Sequence, residues 1–232
     1  MLKTGFPTFA TLCDRAIVVH LGDQIDPPIF RAIRSLTKKL ESLPPTGVIE
    51  FVPAFTTIAV YYDPLRISEA ELCSTISDLA TTLALTDEFE PRVVEIPVCY
   101  GGEYGPDLEF VAEQAGLTPN EVVRIHSEGE YLVHMIGFAP GFPYLGGMSQ
   151  QIAAPRRSSP RLKIPAGSVG IAGDQTGIYP LETPGGWQLI GRTPLALFRP
   201  DQDPPTLLQA GDIVRFLSIS PDEFRQLSEH PA

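Results

Sequence analysis

Four basic side chains fall within eight residues of one proline-bounded segment of the sequence, at Arg156, Arg157, Arg161 and Lys163. The planar guanidinium group of arginine donates two parallel hydrogen bonds to a carboxylate or phosphate, which suits the recognition of a small anion. A solvated basic surface is the alternative, and the spacing alone leaves both open.

Two glycine-rich segments bring aromatic and hydrogen-bonding side chains into the same half of the chain. The first, residues 137–147, contains four glycines and the aromatic residues Phe138, Phe142 and Tyr144. The second, residues 173–194, contains the polar or aromatic side chains Gln175, Thr176, Tyr179, Trp187 and Arg192. Glycine lets the backbone approach a ligand closely while rings line a pocket, so we interpret this pattern as a small-molecule site. Aromatic residues that simply fill a core are the alternative.

His126 is a further candidate for chemistry because it follows a predicted helix and precedes a predicted strand. A neutral histidine in a loop beside a pocket can transfer protons near neutral pH. His134, in contrast, alternates with apolar residues, which favours a structural role in a strand. The three cysteines form no CxxC pair, which argues against a disulfide framework or a zinc ribbon and favours reduced thiols in the cytoplasm.

Several function classes are disfavoured by motif and charge. We find no P-loop, no GxGxxG, no HExxH and no EF-hand loop, and no metal-binding residues are predicted. The net charge of −11 argues against a nucleic acid or an anionic membrane as partner. Residues 130–200 carry a net positive charge, unlike the chain as a whole, because they contain six basic and three acidic side chains. This again favours a site for an anion there. No secretory signal or membrane-spanning run is evident.

The elements that must position these residues fall into two domains, which gives an α+β class. For residues 1–91, apolar spacing and caps predict a ferredoxin-like βαββαβ domain whose last strand crosses toward the second domain. Its helices begin after Asp26 and Ser68, the latter followed by Glu71 in a capping box. Its predicted strands lie at residues 16–21, 48–52, 57–62 and 93–98.

Residues 92–232 have a different pattern, with two short helices followed by short β-prone segments separated by glycine and proline. Asp107 is predicted to cap the first helix and Thr118 the second, and a last helix is predicted to begin after Ser220. Frequent turn signals between short strands are typical of a β-barrel or a sandwich.

Three stretches of the second domain resemble the allophanate hydrolase subunit 1 family. They are PVCYGGEYGPDL (97–108), HSEGEYLVHMIGFAPGFPYLGG (126–147) and the long run PRRSSPRLKIPAGSVGIAGDQTGIYPLETPGGWQLIGRTP (155–194). This resemblance implies a cyclophilin-like β-barrel for residues 92–232. It also implies one component of a three-component enzyme. This component would contact the C subunit directly and would act together with the A subunit. Because no P-loop is present, we expect it to be inactive, or nearly so, alone.

The activity implied by the resemblance is an ATP-dependent 5-oxoprolinase, which opens the lactam of 5-oxo-L-proline to L-glutamate with ATP and Mg²⁺. The ATP site is expected to be unusual or shared with a partner protein, since no P-loop is present. Two other functions stay open. They are a KipI-like inhibitor of a sporulation histidine kinase, and a component of an amidohydrolase that acts on allophanate or urea derivatives.

The resemblance also gives the candidate residues expected roles. His126 and Arg192 are expected to be catalytic, with His126 as the acid–base group. Arg161 and Lys163 are expected to bind anionic oxygens together with Arg192. The amide is expected to be oriented by Gln175, Thr176 and Tyr179, and the pocket to be walled by Phe138, Phe142, Tyr144 and Trp187.

Overall fold

The computed structural model describes residues 5–83 and 91–229, and the chain divides into two compact units, residues 1–90 and 91–232. Both units combine helices and sheets, so the predicted α+β class is confirmed. In the described residues, no helix has the length and apolar character needed to cross a membrane.

The first unit contains four strands and two helices, which are β1 (Thr8–Cys13), β2 (Ala16–His20), α1 (Pro27–Ser42), β3 (Val48–Pro53), β4 (Thr57–Tyr62) and α2 (Glu69–Thr81). The strands form one antiparallel sheet in the order β1-β2-β4-β3.

Both helices of this unit begin where the sequence predicts. The Asp26 carboxylate accepts a hydrogen bond from the backbone N–H of Ile29 at 2.8 Å, which satisfies one of the unpaired donors at the start of α1. Ser68 and Glu71 form the predicted capping box of α2. The apolar stripe of α1, which includes Leu36 and Leu40, is fully buried in a cluster with β2 and β4.

The sequence pattern predicts strand β2 but does not predict β1, the strand that precedes it. Five of the six residues of β1 are exposed, so β1 lacks the alternation of a half-buried strand that reveals β2. It occupies the edge of the sheet, beside β2. The strand that ends the predicted βαββαβ pattern belongs instead to the barrel of the second unit, consistent with its expected crossing.

The second unit contains a closed barrel, which confirms the predicted barrel over the sandwich. The elements of this unit are β5 (Val93–Tyr100), α3 (Leu108–Ala115), α4 (Pro119–Ser127), β6 (Glu130–Ile136), β7 (Pro143–Gly146), β8 (Arg161–Ile164), β9 (Ser168–Ala172), β10 (Gln175–Ile178), β11 (Thr183–Gly185), β12 (Gln188–Arg192), β13 (Ile213–Ser218) and α5 (Pro221–Glu229). The barrel strands follow the order β10-β7-β6-β13-β5-β12-β9, in which β5 and β13 pair in parallel, and a separate two-stranded ribbon pairs β8 with β11.

A glycine brings the segment before α3 against strand β12. A Cβ atom at Gly105 would lie 2.0 Å from the carbonyl oxygen of Ile190, so only glycine permits this approach. The backbone N–H of Asp107 then donates to the carbonyl of Leu189 at 2.8 Å. This contact places the Asp107 side chain beside the barrel wall.

Candidate functional site

His126 lies in the last turn of α4, which corrects the loop position expected from the sequence. The predicted capping box of Thr118 and Glu121 does start the helix, and the helix continues through Ser127. The His126 side chain is fully buried. Its Nδ1 lies 2.8 Å from the Tyr100 hydroxyl, and its Nε2 lies 3.0 Å from the Thr176 hydroxyl.

The donors and acceptors in this group determine the tautomer of His126. The Thr176 hydroxyl donates its one proton to the carbonyl of Gly170 at 3.0 Å, so its oxygen accepts from His126 Nε2–H. His126 Nδ1 therefore accepts from the Tyr100 hydroxyl. Burial lowers the pKa of His126 to about 3 and raises the pKa of Tyr100. Tyr100, His126, Thr176 and the carbonyl of Gly170 thus form a hydrogen-bonded chain of neutral groups.

This chain joins four elements of the barrel unit. It runs from β5 through α4 and β10 to β9, and the His126 ring also stacks on Phe216 with a centroid distance of 4.5 Å. The structure therefore brings two predicted site residues, His126 and Thr176, together in the core. Both ring nitrogens are occupied within the protein, which favours a positioning role. The catalytic role of His126 and the amide-orienting role of Thr176 stay predictions.

The residues expected to wall a pocket form an aromatic cluster. Phe142, Tyr179 and Trp187 are buried, and the Phe142 ring meets the other two edge to face at 5.4 and 5.6 Å. Tyr144 packs against Phe142 at 5.2 Å. Burial raises the pKa of Tyr179 to about 12, so its hydroxyl stays protonated at neutral pH.

Phe138 sits at the exposed edge of this cluster in a strained backbone conformation. Its φ is +69°, a left-handed value that residues other than glycine seldom adopt. The side chain is 66% exposed, while its ring meets that of Phe142 at 5.4 Å.

Asp107 holds two of the arginines, and this corrects its predicted role as a helix cap. It occupies the position before α3, but its side chain makes no capping hydrogen bond. Its Oδ1 accepts from Arg161 at 2.8 Å and from Arg157 at 3.2 Å. Its Oδ2 accepts from the backbone N–H of Leu189 at 2.7 Å. The ion cluster of Asp107, Arg157 and Arg161 is therefore anchored to β12.

Lys163 pairs with an acidic residue other than Asp107, and Gln175 lies on a different strand from Arg161. Lys163 forms a 3.1 Å ion pair with Glu182, and both side chains are well exposed, so the pair contributes little stability. Gln175 begins β10, is partly exposed and lies opposite Ala172 of β9.

Arg192 lines a cavity of 270 Å³. Its Nε donates to the carbonyl of Ala166 at 2.8 Å. Gly167 follows with a φ of +82°, and a Cβ there would lie 2.3 Å from the carbonyl oxygen of Thr193, so only glycine fits this turn. The remaining lining is largely apolar with two hydroxyl groups, and consists of Pro180, Thr193, Pro194, Leu195, Ala196, Phe224 and Ser228.

The partners that hold these groups are not evident from the sequence. Local spacing assigns Asp107 to a helix cap, gives Tyr100 no role and shows Arg157 only as part of the basic segment. A buried arginine needs an acidic partner, so a segment with several arginines is a signal to look for one. The sequence contains 28 acidic residues, however, and their spacing does not identify which one pairs with the arginines.

Known proteins are similar in sequence to both units. The family model described as "Carboxyltransferase domain, subdomain C and D" matches residues 7–208. The chain belongs to this family. A relative from Bacillus subtilis (strain 168), named as the B subunit of 5-oxoprolinase, is 52% identical over 228 residues, covering 94% of this chain and 95% of the relative. The family resemblance found in the sequence is therefore confirmed.

Similar regions occur within longer chains. The crystal structure of TTHA0988 has a TM-score of 0.78 and 37% identity, with 89% of this chain covered and only 40% of that one. A urea amidolyase from Lachancea kluyveri is 24% identical over 256 residues, covering 96% of this chain and 14% of the relative. The chain thus spans less than half the length of these two proteins.

Proposed function

We propose that this protein is the B subunit of a cytoplasmic, ATP-dependent 5-oxoprolinase. With the A subunit and a directly bound C subunit, it opens the lactam of 5-oxo-L-proline to L-glutamate. The similarity to the Bacillus subtilis relative over nearly the full length of both chains supports this proposal.

The cavity at Arg192 is the structural observation that carries the proposal. 5-Oxo-L-proline is a small five-membered ring with one carboxylate and one planar amide. The cavity of 270 Å³ lies just below the ordinary range for ligand pockets, about 300–1,000 Å³, which suits so small a molecule. Its lining offers one guanidinium group beside apolar walls, which matches one carboxylate beside a ring.

The chain's own residues have definite tasks in this proposal. Arg192 is anchored through Nε to the carbonyl of Ala166, so its two Nη groups can donate as a fork to the substrate carboxylate. Pro194, Leu195 and Phe224 line the same cavity and offer apolar contacts to the ring. Fixing the ring in this way orients the amide before reaction, which lowers the entropic part of the barrier.

The lactam must also be activated, because amide resonance makes its carbonyl a poor electrophile. ATP bound with Mg²⁺ would supply that activation at the lactam oxygen. The sequence has no P-loop, so we place the nucleotide at a site shared with the C subunit, and we expect the isolated chain to have little activity. Within this chain, the guanidinium groups beside Asp107 have the donor chemistry that fits phosphoryl oxygens.

The experiment reconstitutes the chain with the A and C subunits and measures ADP and L-glutamate release as 5-oxo-L-proline is varied. Replacement Arg192→Ala removes a charge-assisted contact and is expected to raise KM or lower kcat/KM by about tenfold or more. Arg124→Ala is the matched control, since Arg124 is exposed on α4 and pairs with Glu128. Equal kinetics for the two variants would show that Arg192 does not bind the substrate.

Substrate choice separates the remaining functions. The assembly is expected to hydrolyse ATP in response to 5-oxo-L-proline and not to allophanate or urea. A response to urea derivatives alone would instead assign the amidohydrolase function. Binding to a histidine kinase without any turnover would assign the inhibitor function.

A further inference from the structure

The Asp107 cluster has more hydrogen-bond donors than its one carboxylate can accept. Asp107 is only 8% exposed, and its two oxygens are taken by Arg157, Arg161 and the backbone of Leu189. The Arg157 and Arg161 side chains are 36% and 24% exposed, so the pair borders solvent.

Two of the guanidinium nitrogens are buried without a partner among the described residues. They are Nε of Arg157 and Nη1 of Arg161. A buried charged donor without an acceptor is costly, and native structures seldom keep one unless a ligand, an ion or water satisfies it. The rest of each guanidinium group borders solvent, so a ligand can approach the pair from that side.

The charge of this region exceeds that of one small monoanion. Arg156 is exposed beside Arg157 in the chain. Burial raises the pKa of Tyr179, and the positive charges of Arg156 and Arg161 both oppose that rise, so both charges lie near the same hydroxyl. Three guanidinium groups against the single Asp107 carboxylate leave two net positive charges. Lys163 adds none, because Glu182 neutralises it. Two charges match an oxyanion of the phosphate class rather than a carboxylate.

The backbone around these arginines is fixed by the fold. The N–H of Arg157 donates to the carbonyl of Gly186 at 2.7 Å, and the Gln188 side chain donates to the carbonyl of Pro155 at 2.8 Å. Arg161 lies opposite Gly185 in the β8–β11 ribbon. A site held in this way loses little conformational entropy when a ligand binds.

We propose that Arg156, Arg157 and Arg161, with Asp107 orienting the last two, form a binding site for a phosphate-class oxyanion. The ligand is either free phosphate or a phosphoryl group of a nucleotide. This site is separate from the Arg192 cavity, with which it shares no lining residue. It deepens the proposed function, in which the guanidinium groups beside Asp107 face phosphoryl oxygens, but phosphate binding by the single chain tests it without any turnover of the assembly.

The test titrates the purified chain with inorganic phosphate by calorimetry at constant ionic strength, above the second pKa of phosphate. Saturable binding to one site is expected, with acetate binding more weakly. Arg161→Gln and Arg157→Gln are each expected to weaken phosphate binding about tenfold, because each removes a charge-assisted donor group. Arg124→Gln removes the same charge from the exposed surface of α4 and is expected to change binding less than twofold.

A substitution at an exposed position distinguishes loss of binding from loss of folding, which substitution of Arg157 or Arg161 could also cause. Arg156 is exposed, so Arg156→Gln keeps the fold and is expected to weaken phosphate binding about threefold through lost charge. Displacement of phosphate by ADP supports the site with a nucleotide as source, whereas phosphate that ADP does not displace supports it with the free ion as source. The proposal is overturned if wild type shows no saturable binding, if acetate binds as tightly as phosphate, or if Arg156→Gln and Arg124→Gln are indistinguishable.

Discussion

Mild acid is expected to destabilise the protein through His126. Burial lowers its pKa to about 3 in the folded state, whereas an exposed histidine has a pKa of about 6.5. Between these values the unfolded chain binds a proton that the folded chain does not. The stability contributed by neutral His126 is therefore complete above about pH 6.5 and is lost as the pH falls. From about pH 7.5 to about pH 5, linkage gives a loss of about 2 kcal/mol.

Urea unfolding at the two pH values measures this loss in wild type and in His126→Gln. The variant lacks the titrating ring, so its unfolding free energy should depend less on pH by about 2 kcal/mol, whatever its absolute stability. His134→Gln is a comparison variant, because burial also lowers the pKa of the partly buried His134 and its replacement should reduce the pH dependence in the same direction. The pH window stays above the range in which Glu71, Glu121 and Glu223 titrate, since hydrogen bonds lower the pKa of each.

An equal loss in wild type and His126→Gln would refute this reasoning. Ring resonances of His126 that titrate near pH 6.5 would also refute it. Either result would mean that solvent reaches the imidazole, and would favour the acid–base role expected from the sequence over the positioning role favoured by the buried geometry.

Two further substitutions test the barrel around the candidate site. Thr176→Val removes the acceptor of His126 Nε2–H and the donor to Gly170, and is expected to lower the unfolding free energy by about 2 kcal/mol or more in urea titration; no change would contradict the importance of these two hydrogen bonds. Gly167→Ala places a Cβ 2.3 Å from the Thr193 carbonyl and is expected to cost at least about 2 kcal/mol in thermal unfolding. Gly102→Ala, also at positive φ but in open space, should cost less, and equal costs would refute the steric argument.

Local signals predict much of the fold because they act over a few residues. The capping boxes at Ser68 and Thr118 and the apolar stripe of α1 are complete within single segments, and the structure has each one. These signals do not reveal strand β1, because an exposed edge strand has no apolar alternation. They also do not reveal where α4 ends, because no glycine or proline stands near its C-terminal end up to His126.

The candidate site is harder to predict because its contacts are remote in sequence. Asp107 lies 50 residues from Arg157 and 54 from Arg161, and His126 lies 50 residues from Thr176. Residue types and their local spacing direct attention to guanidinium and aromatic groups in the second half of the chain, and the site roles given to them stay predictions. Only the fold shows that Arg192 lines a cavity while Arg161 is held by Asp107 elsewhere.

The central claim is tested most directly by turnover in the reconstituted assembly. The A and C subunits are assayed for 5-oxo-L-proline-dependent ATP hydrolysis with this chain, without it, and with its Arg192→Ala variant. We predict L-glutamate and ADP formation only when this chain is present, and a drop in kcat/KM of about tenfold or more with the variant. Unchanged turnover when this chain is omitted would contradict the account.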